Sequence, residues 1–188
     1  MKDADTLSSN YYMFSDMEEE SIRVEVDGIT FLSTGKYYDG INSFISHDLK
    51  NADNNAVQYA ARKMAALVPP NSVIIPIPNH HGTARETMSL ALAIAQNSHS
   101  SIANVLVGKV RESNYLMKKM GTPLTEEQMG FRMIAPIPEG RTPVIVDGVV
   151  DTGTSAKAAV HALGGGIVLS FAMSDTLLEP KHTIGFHR

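Results

Sequence analysis

Apolar positions along the chain change period several times, and each change marks an element. Ile22, Val24 and Val26 alternate with polar residues, Asp27-Gly28 follows, and then comes Ile29-Thr30-Phe31-Leu32. Asp-Gly between strand-like runs is a strong short-range hairpin signal, so 22–33 is expected to be a β-hairpin. From about 54 to 68 the period becomes helical: Val57, Ala60, Ala61, Met64 and Leu67 share one face, and Pro69-Pro70 stops it. Ser72 to Ile77 reads as a buried strand. Gly82 and Thr83 are expected to open a second helix, with Ala84, Met88, Ala91, Leu92 and Ala95 on its inner face. Ile102 to Val107 reads as a further buried strand and Val144 to Val146 as another. Ala156, Ala159, Val160 and Leu163 mark a third helix with Gly164 as its C-terminal cap. Ile167 to Ala172 closes the series. Between these, 108–132 is basic, polar and Met-rich, with a capping box at Thr125 to Gln128 as its clearest local signal.

The order strand, helix, strand, repeated, requires parallel pairing through right-handed crossovers, and hence an α/β fold. Strands that are apolar throughout agree with a sheet covered on both faces. At 188 residues the chain can bury a core as one domain. The expected division is a loose polar arm over 1–20, with Tyr11, Tyr12 and Phe14 as anchors, followed by a single domain over 21–188. Composition narrows the chemistry further. The absence of cysteine excludes disulfides, thiolate nucleophiles and Cys-ligated metals. A net charge of −4 argues against a chain that coats duplex nucleic acid. No apolar run approaches the roughly 20 residues that span a bilayer, and the N-terminus lacks the apolar core of a signal peptide. A cytoplasmic protein with no membrane partner is expected.

In open α/β sheets ligands bind beyond the carboxyl ends of the strands, and three such loops carry unusual residues. In the first, Pro143-Val144-Ile145-Val146 runs into Asp147-Gly148-Val149-Val150-Asp151 and then Thr152-Gly153-Thr154-Ser155 at a helix start. Small residues there let backbone N–H groups converge, and the helix dipole and hydroxyls favour an anion. Two carboxylates beside such a cradle suit a sugar phosphate, whose vicinal hydroxyls they can accept from. The same residues also read as a plain turn with a capping hydroxyl.

Val144 through Ser155 resembles the phosphoribosyl-diphosphate-binding signature of the type I phosphoribosyltransferases. The resemblance implies a central parallel sheet flanked by helices, with a small hood built from the N-terminal hairpin and 174–188. It implies transfer of ribose 5-phosphate from phosphoribosyl diphosphate to a nitrogenous base, with release of diphosphate. It implies Mg²⁺ held mainly through the phosphoribosyl diphosphate, and it is compatible with a homodimer. Asp151 matches the acid nearest the reacting centre, Asp147 the acid that binds ribose, and Thr152, Gly153, Thr154 and Ser155 the 5′-phosphate loop. Gly148 departs from the pattern, because it stands where the family carries its second acid. That departure favours an alternative, a non-catalytic sugar-phosphate-binding or regulatory module. A third reading is cleavage, rather than synthesis, of a glycosidic bond.

The second loop, Pro78-Asn79-His80-His81-Gly82-Thr83-Ala84-Arg85, lies where the family places its pyrophosphate loop. Backbone N–H groups from His81 through Gly82 to Thr83, with Arg85, are expected to face diphosphate. Adjacent histidines seldom reach one ion together, so no protein metal site is expected here. In the third loop, Lys109 and Arg111 share one side of an extended segment, and the resemblance gives them diphosphate contacts; a solvated charged loop is the plainer reading. The length of 108–132 without strong periodicity suggests a lid. Its methionines (117, 120, 129 and 133) are expected to pack loop against core.

Overall fold

The computed structural model describes residues 20–179. The polar arm with Tyr11, Tyr12 and Phe14, and the last nine residues of the expected hood, lie outside them.

The fold is α/β, built on one six-stranded sheet. Its strands are β1 (Ile22–Val26), β2 (Ile29–Ser33), β3 (Ser72–Pro76), β4 (Ser101–Ile102), β7 (Thr142–Val150) and β8 (Ile167–Met173), in the spatial order β1-β2-β8-β7-β3-β4. Only β1–β2 is antiparallel; every other neighbouring pair is parallel. One face is covered by α1 (Asn42–Lys50), α2 (Asn54–Ala65) and α3 (Met88–Asn97), packed on Ile74, Val144, Val146, Leu169 and Phe171. The other is covered by α6 (Thr154–Leu163), packed on Val73, Ile75, Ile145 and Val168. The period-2 alternation along β3 and β7 therefore sends neighbouring residues into different cores, which is why these strands read as unbroken apolar runs.

The hairpin forms with Asp27 and Gly28 at φ 52° and 76°, the paired positive values that a tight two-residue turn requires. It does not build a hood. β2 pairs in parallel with β8, Phe31 opposite Val168, and Ile29 and Phe31 are buried in the second core. An apolar face of that size is better buried against β8 than left over a cleft, so the hairpin widens the sheet.

α2 follows the sequence pattern. Asp53 caps it by accepting from the Ala56 N–H at 2.9 Å, and Val57, Ala60, Ala61 and Met64 are buried. Three elements depart from expectation. α1 escapes the apolar pattern because its buried face mixes Ile45 and Leu49 with Asn42 and Ser46, while Phe44 is exposed. α3 starts at Met88, not at Gly82, because residues 79–84 close into a loop of their own. Its inner face accordingly carries Leu90 and Ile94, and Leu92 is exposed. The expected strand 102–107 breaks in two. β4 stays on the sheet edge beside β3, whereas β5 (Leu106–Val107) leaves to pair antiparallel with β6 (Arg132–Met133). This ribbon brackets a flap with two short helices, α4 (Asn114–Lys119) and α5 (Glu126–Met129). α5 begins at the expected capping box, Thr125 with Gln128. Of the four methionines only Met129 is buried; Met120 and Met133 are exposed. A last turn of helix, α7 (Asp175–Leu178), follows β8. Among the described residues no helix is long and apolar enough to cross a membrane.

Candidate functional site

From β3 the chain goes on to β4 on one side, and from β7 it goes on to β8 on the other, so β3 and β7 are the adjacent pair at which strand order reverses. The loops leaving such a pair diverge and open a crevice beyond the strand ends. A cleft of about 180 Å³ lies there, lined among others by Asn79, Glu86, Arg111, Asn114, Asp147 and Ser155.

β7 continues through the two acids' neighbourhood up to Val150, longer than the apolar core Val144–Val146 suggests. Asp147 therefore sits on a strand and not on a loop. Its residue is half-buried, with the carboxyl withdrawn into the cleft. Burial pushes that carboxyl up to about 6, against the N–H groups of Val149 and Gly148 and the charge of Lys50, which favour the ionised form. The negative charge of Glu86 adds to the upward push.

At the end of β7, Asp151, Thr152 and Gly153 make the turn into α6. Gly153 has φ 80°, and a Cβ there would stand 3.0 Å from Leu177 Cδ1. Glycine is demanded both by the left-handed backbone and by the approach of α7. As the residue preceding α6, Gly153 provides no side-chain cap, and the first turn of α6 holds no acidic residue. The Thr152 hydroxyl lies 3.0 Å from that of Thr154 and 3.5 Å from the Thr154 N–H. The helix start thus presents N–H groups and hydroxyls without an anionic side chain of its own.

The flap folds across this turn. Lys118 Nζ donates to Asp151 Oδ2 at 2.6 Å, Asn114 Nδ2 donates to Ser155 Oγ at 2.6 Å, and Glu126 meets His161 of α6 at 2.7 Å. Desolvation raises Asp151, but Lys118, together with the hydroxyls of Ser174 and Thr176, outweighs it and holds the carboxyl below its ordinary value. Arg111 turns inward: its guanidinium donates to the Asn79 carbonyl at 3.0 Å and lies 5.6 Å from the Phe131 ring centre, and Nε points at Met129 Sδ. Burial disfavours the charged guanidinium and pulls its pKa below the usual value.

Of the residues expected from the sequence, Asp147, Arg111 and Ser155 line the cleft. Asp151, Thr152, Gly153 and Thr154 form the adjoining turn. The second loop is differently arranged than expected. The His81 N–H donates to Asn79 Oδ1 at 2.8 Å and the Gly82 N–H to the Asn79 carbonyl at 3.1 Å, so both donors are already taken up within the loop. Gly82, at φ 80°, passes so close to the Gly108 carbonyl that a Cβ would fall 2.5 Å from it; this glycine serves a backbone crossing. His81 and Arg85 are exposed and stand outside the cleft lining, whereas His80 is within it. Lys109 also separates from Arg111, because its aliphatic stem lies over Gly130 behind α5. Asn79, Glu86, Asn114, Lys118 and Met129 reach the site without having been singled out for it. All but Glu86 act through contacts between distant segments, which no local pattern displays.

No family model and no curated protein matches this sequence. A solved structure described as the allosteric regulatory enzyme of purine biosynthesis aligns at 17% identity and a TM-score of 0.38, over 88% of this chain and 30% of its own. The chain thus spans less than a third of that neighbour, and a likeness this loose carries no argument about activity.

Proposed function

We propose that the chain binds phosphoribosyl diphosphate at the β3–β7 crevice and transfers ribose 5-phosphate to a nitrogenous base. The observation that carries this reading is the start of α6: a helix terminus without an acidic cap, dressed with three hydroxyls, directly after a strand that delivers a buried carboxylate to the adjoining cleft. Phosphate suits the first feature and sugar hydroxyls suit the second. In the transfer, the bond from the anomeric carbon to diphosphate oxygen breaks, a bond to the base nitrogen forms, and the proton lost from that nitrogen passes to the departing diphosphate. Asp151, held low by Lys118, is a weak proton acceptor and a good electrostatic partner for an oxocarbenium-like centre. Arg111 is the cation inside the cleft and faces the departing diphosphate. Among the described residues no three His, Asp or Glu side chains cluster as a metal cage. Mg²⁺ carried in by the ligand, held mainly by diphosphate and sugar oxygens, would neutralise the leaving group. A cytoplasmic enzyme, active as monomer or homodimer, is part of the same reading.

The test is titration calorimetry with phosphoribosyl diphosphate and Mg²⁺, followed by diphosphate release across a panel of bases. Binding together with base-dependent release is expected. No binding at millimolar ligand would overturn the proposal. The second reading, a binding module without transfer, is favoured by Gly148 in place of the signature's second acid, and binding without release on any base would establish it.

A further inference from the structure

The cleft holds more acceptors than its own donors satisfy. Asp147 takes the N–H groups of Gly148 and Val149. Glu86 lines the same cleft and has no hydrogen-bond or ion-pair partner among the described residues. Asn114 Oδ1 is buried and also unpartnered there, its amide nitrogen being engaged with Ser155. Arg111, the arginine of the cleft lining, is turned toward Asn79 and Met129, and Lys50 acts on Asp147 through its charge. An unpaired buried acceptor such as Asn114 Oδ1 costs on the order of 1–3 kcal/mol, so with the two carboxylates beside it the cleft is suited to a ligand that brings hydroxyl donors.

The position that breaks the signature sharpens the point. Asp147 and residue 148 alternate along β7, and a Cβ on Gly148 would meet Leu49 of α1 at 3.8 Å. A side chain at 148 therefore departs against Leu49 on the α1 face. Glu86 comes from the loop after β3, the other strand of the switch point, lines the same cleft as Asp147 and acts on its carboxyl through its charge.

We infer that Glu86 supplies the second carboxylate of the sugar-binding pair, acting with Asp147 and Asn114 Oδ1 on the vicinal hydroxyls of a ribose 5-phosphate unit. The assignment rests on the reading of the crevice as a ribose 5-phosphate site. It specifies the ligand class further, since a ribo sugar fills this acceptor set and a 2-deoxyribo sugar leaves part of it empty. Glu86 is exposed, so Glu86→Gln removes the charge without opening the core.

Titration calorimetry on the full chain with ribose 5-phosphate, 2-deoxyribose 5-phosphate and inorganic phosphate tests the inference, with folding of both proteins verified by circular dichroism. Wild type should prefer the ribo sugar. Glu86→Gln should weaken ribose 5-phosphate by on the order of tenfold, the 2-deoxy sugar by less than about threefold, and inorganic phosphate not at all. Ribose 5-phosphate binding by Glu86→Gln within about twofold of wild type, or an equal loss for all three ligands, would overturn the role of Glu86 and leave the site standing. A wild type that binds neither sugar phosphate would overturn the site itself.

Discussion

Asp147 is a carboxylate kept at a cost, and that cost can be measured. Its carboxyl lies inside the cleft, and burial lifts it from an ordinary 3.8 to about 6. Between those two values the folded chain binds more protons at this site than the unfolded chain does. Stability contributed by the group is therefore complete below the lower value and is lost as pH rises through the upper one. The gap corresponds to about 3 kcal/mol, at roughly 1.4 kcal/mol per pH unit. Because the residue is only half-buried, water discounts that figure, and roughly 1–3 kcal/mol is expected. Asp147→Asn removes the charge and retains one oxygen for the Gly148 and Val149 N–H groups. Urea unfolding should find the variant more stable than wild type by that amount above about pH 7, and the two equal below about pH 4. Thermal scans should agree, at roughly 2–4 °C per kcal/mol for a domain of this size. A variant that is less stable than wild type at neutral pH, or a difference that does not change with pH, would refute the reasoning. An acid that costs stability on the strand leading into a cleft agrees with a binding role for Asp147.

The flap rests on Lys118–Asp151 and Asn114–Ser155, so Lys118→Ala should raise amide exchange across 112–122 and let the Asp151 carboxyl titrate higher; unchanged exchange would mean that other contacts, such as the buried Met129, hold the flap. Phosphoribosyl diphosphate with Mg²⁺ should alter exchange in the same segment, and equal protection with and without ligand would remove the flap from the mechanism. Gly148→Asp should fold, since its backbone is not in the left-handed region and its Cβ meets only an ordinary contact; circular dichroism and a melting temperature within a few degrees of wild type check this. Gly153→Val should lose stability, by about 1–3 kcal/mol in urea unfolding, because it combines a left-handed backbone with the approach of Leu177. Thr152→Ala is consequently the cleaner probe of the anion cradle, and a several-fold loss of ribose 5-phosphate affinity in calorimetry is expected.

What the sequence displays depends on how far apart in the chain the causes lie. β3, β8, α2 and α6 are legible because each is specified by its own apolar period and its own terminators, such as Asp53, Pro69-Pro70 and Gly164. α1 is not, because its inner face carries Asn42 and Ser46, which interrupt the apolar period; Asn42 Nδ2 donates to the Lys36 carbonyl, a contact the local pattern cannot show. The hairpin is legible as a hairpin, through Asp27-Gly28, but its place is not. Pairing with β8 joins Phe31 to Val168 across more than half the chain.

The same division runs through the site. The cradle is local, since Thr152 to Ser155 form one turn and one helix start, and its small residues and hydroxyls announce themselves as a string. The cleft is assembled at a switch point, where topology alone decides which loops meet. Asp147 comes from within β7, Glu86 from the loop after β3, and Arg111 and Asn114 from the flap beyond β5. In sequence Glu86 is an ordinary charge ahead of a helix, and Gly148 is a missing acid. Only the parallel pairing of β3 with β7, Pro76 opposite Val146, brings the one into position to answer for the other. A gap in a linear signature is therefore weak evidence that a function has been lost. On a doubly wound sheet the first place to look for the missing group is the loop that leaves the adjacent strand.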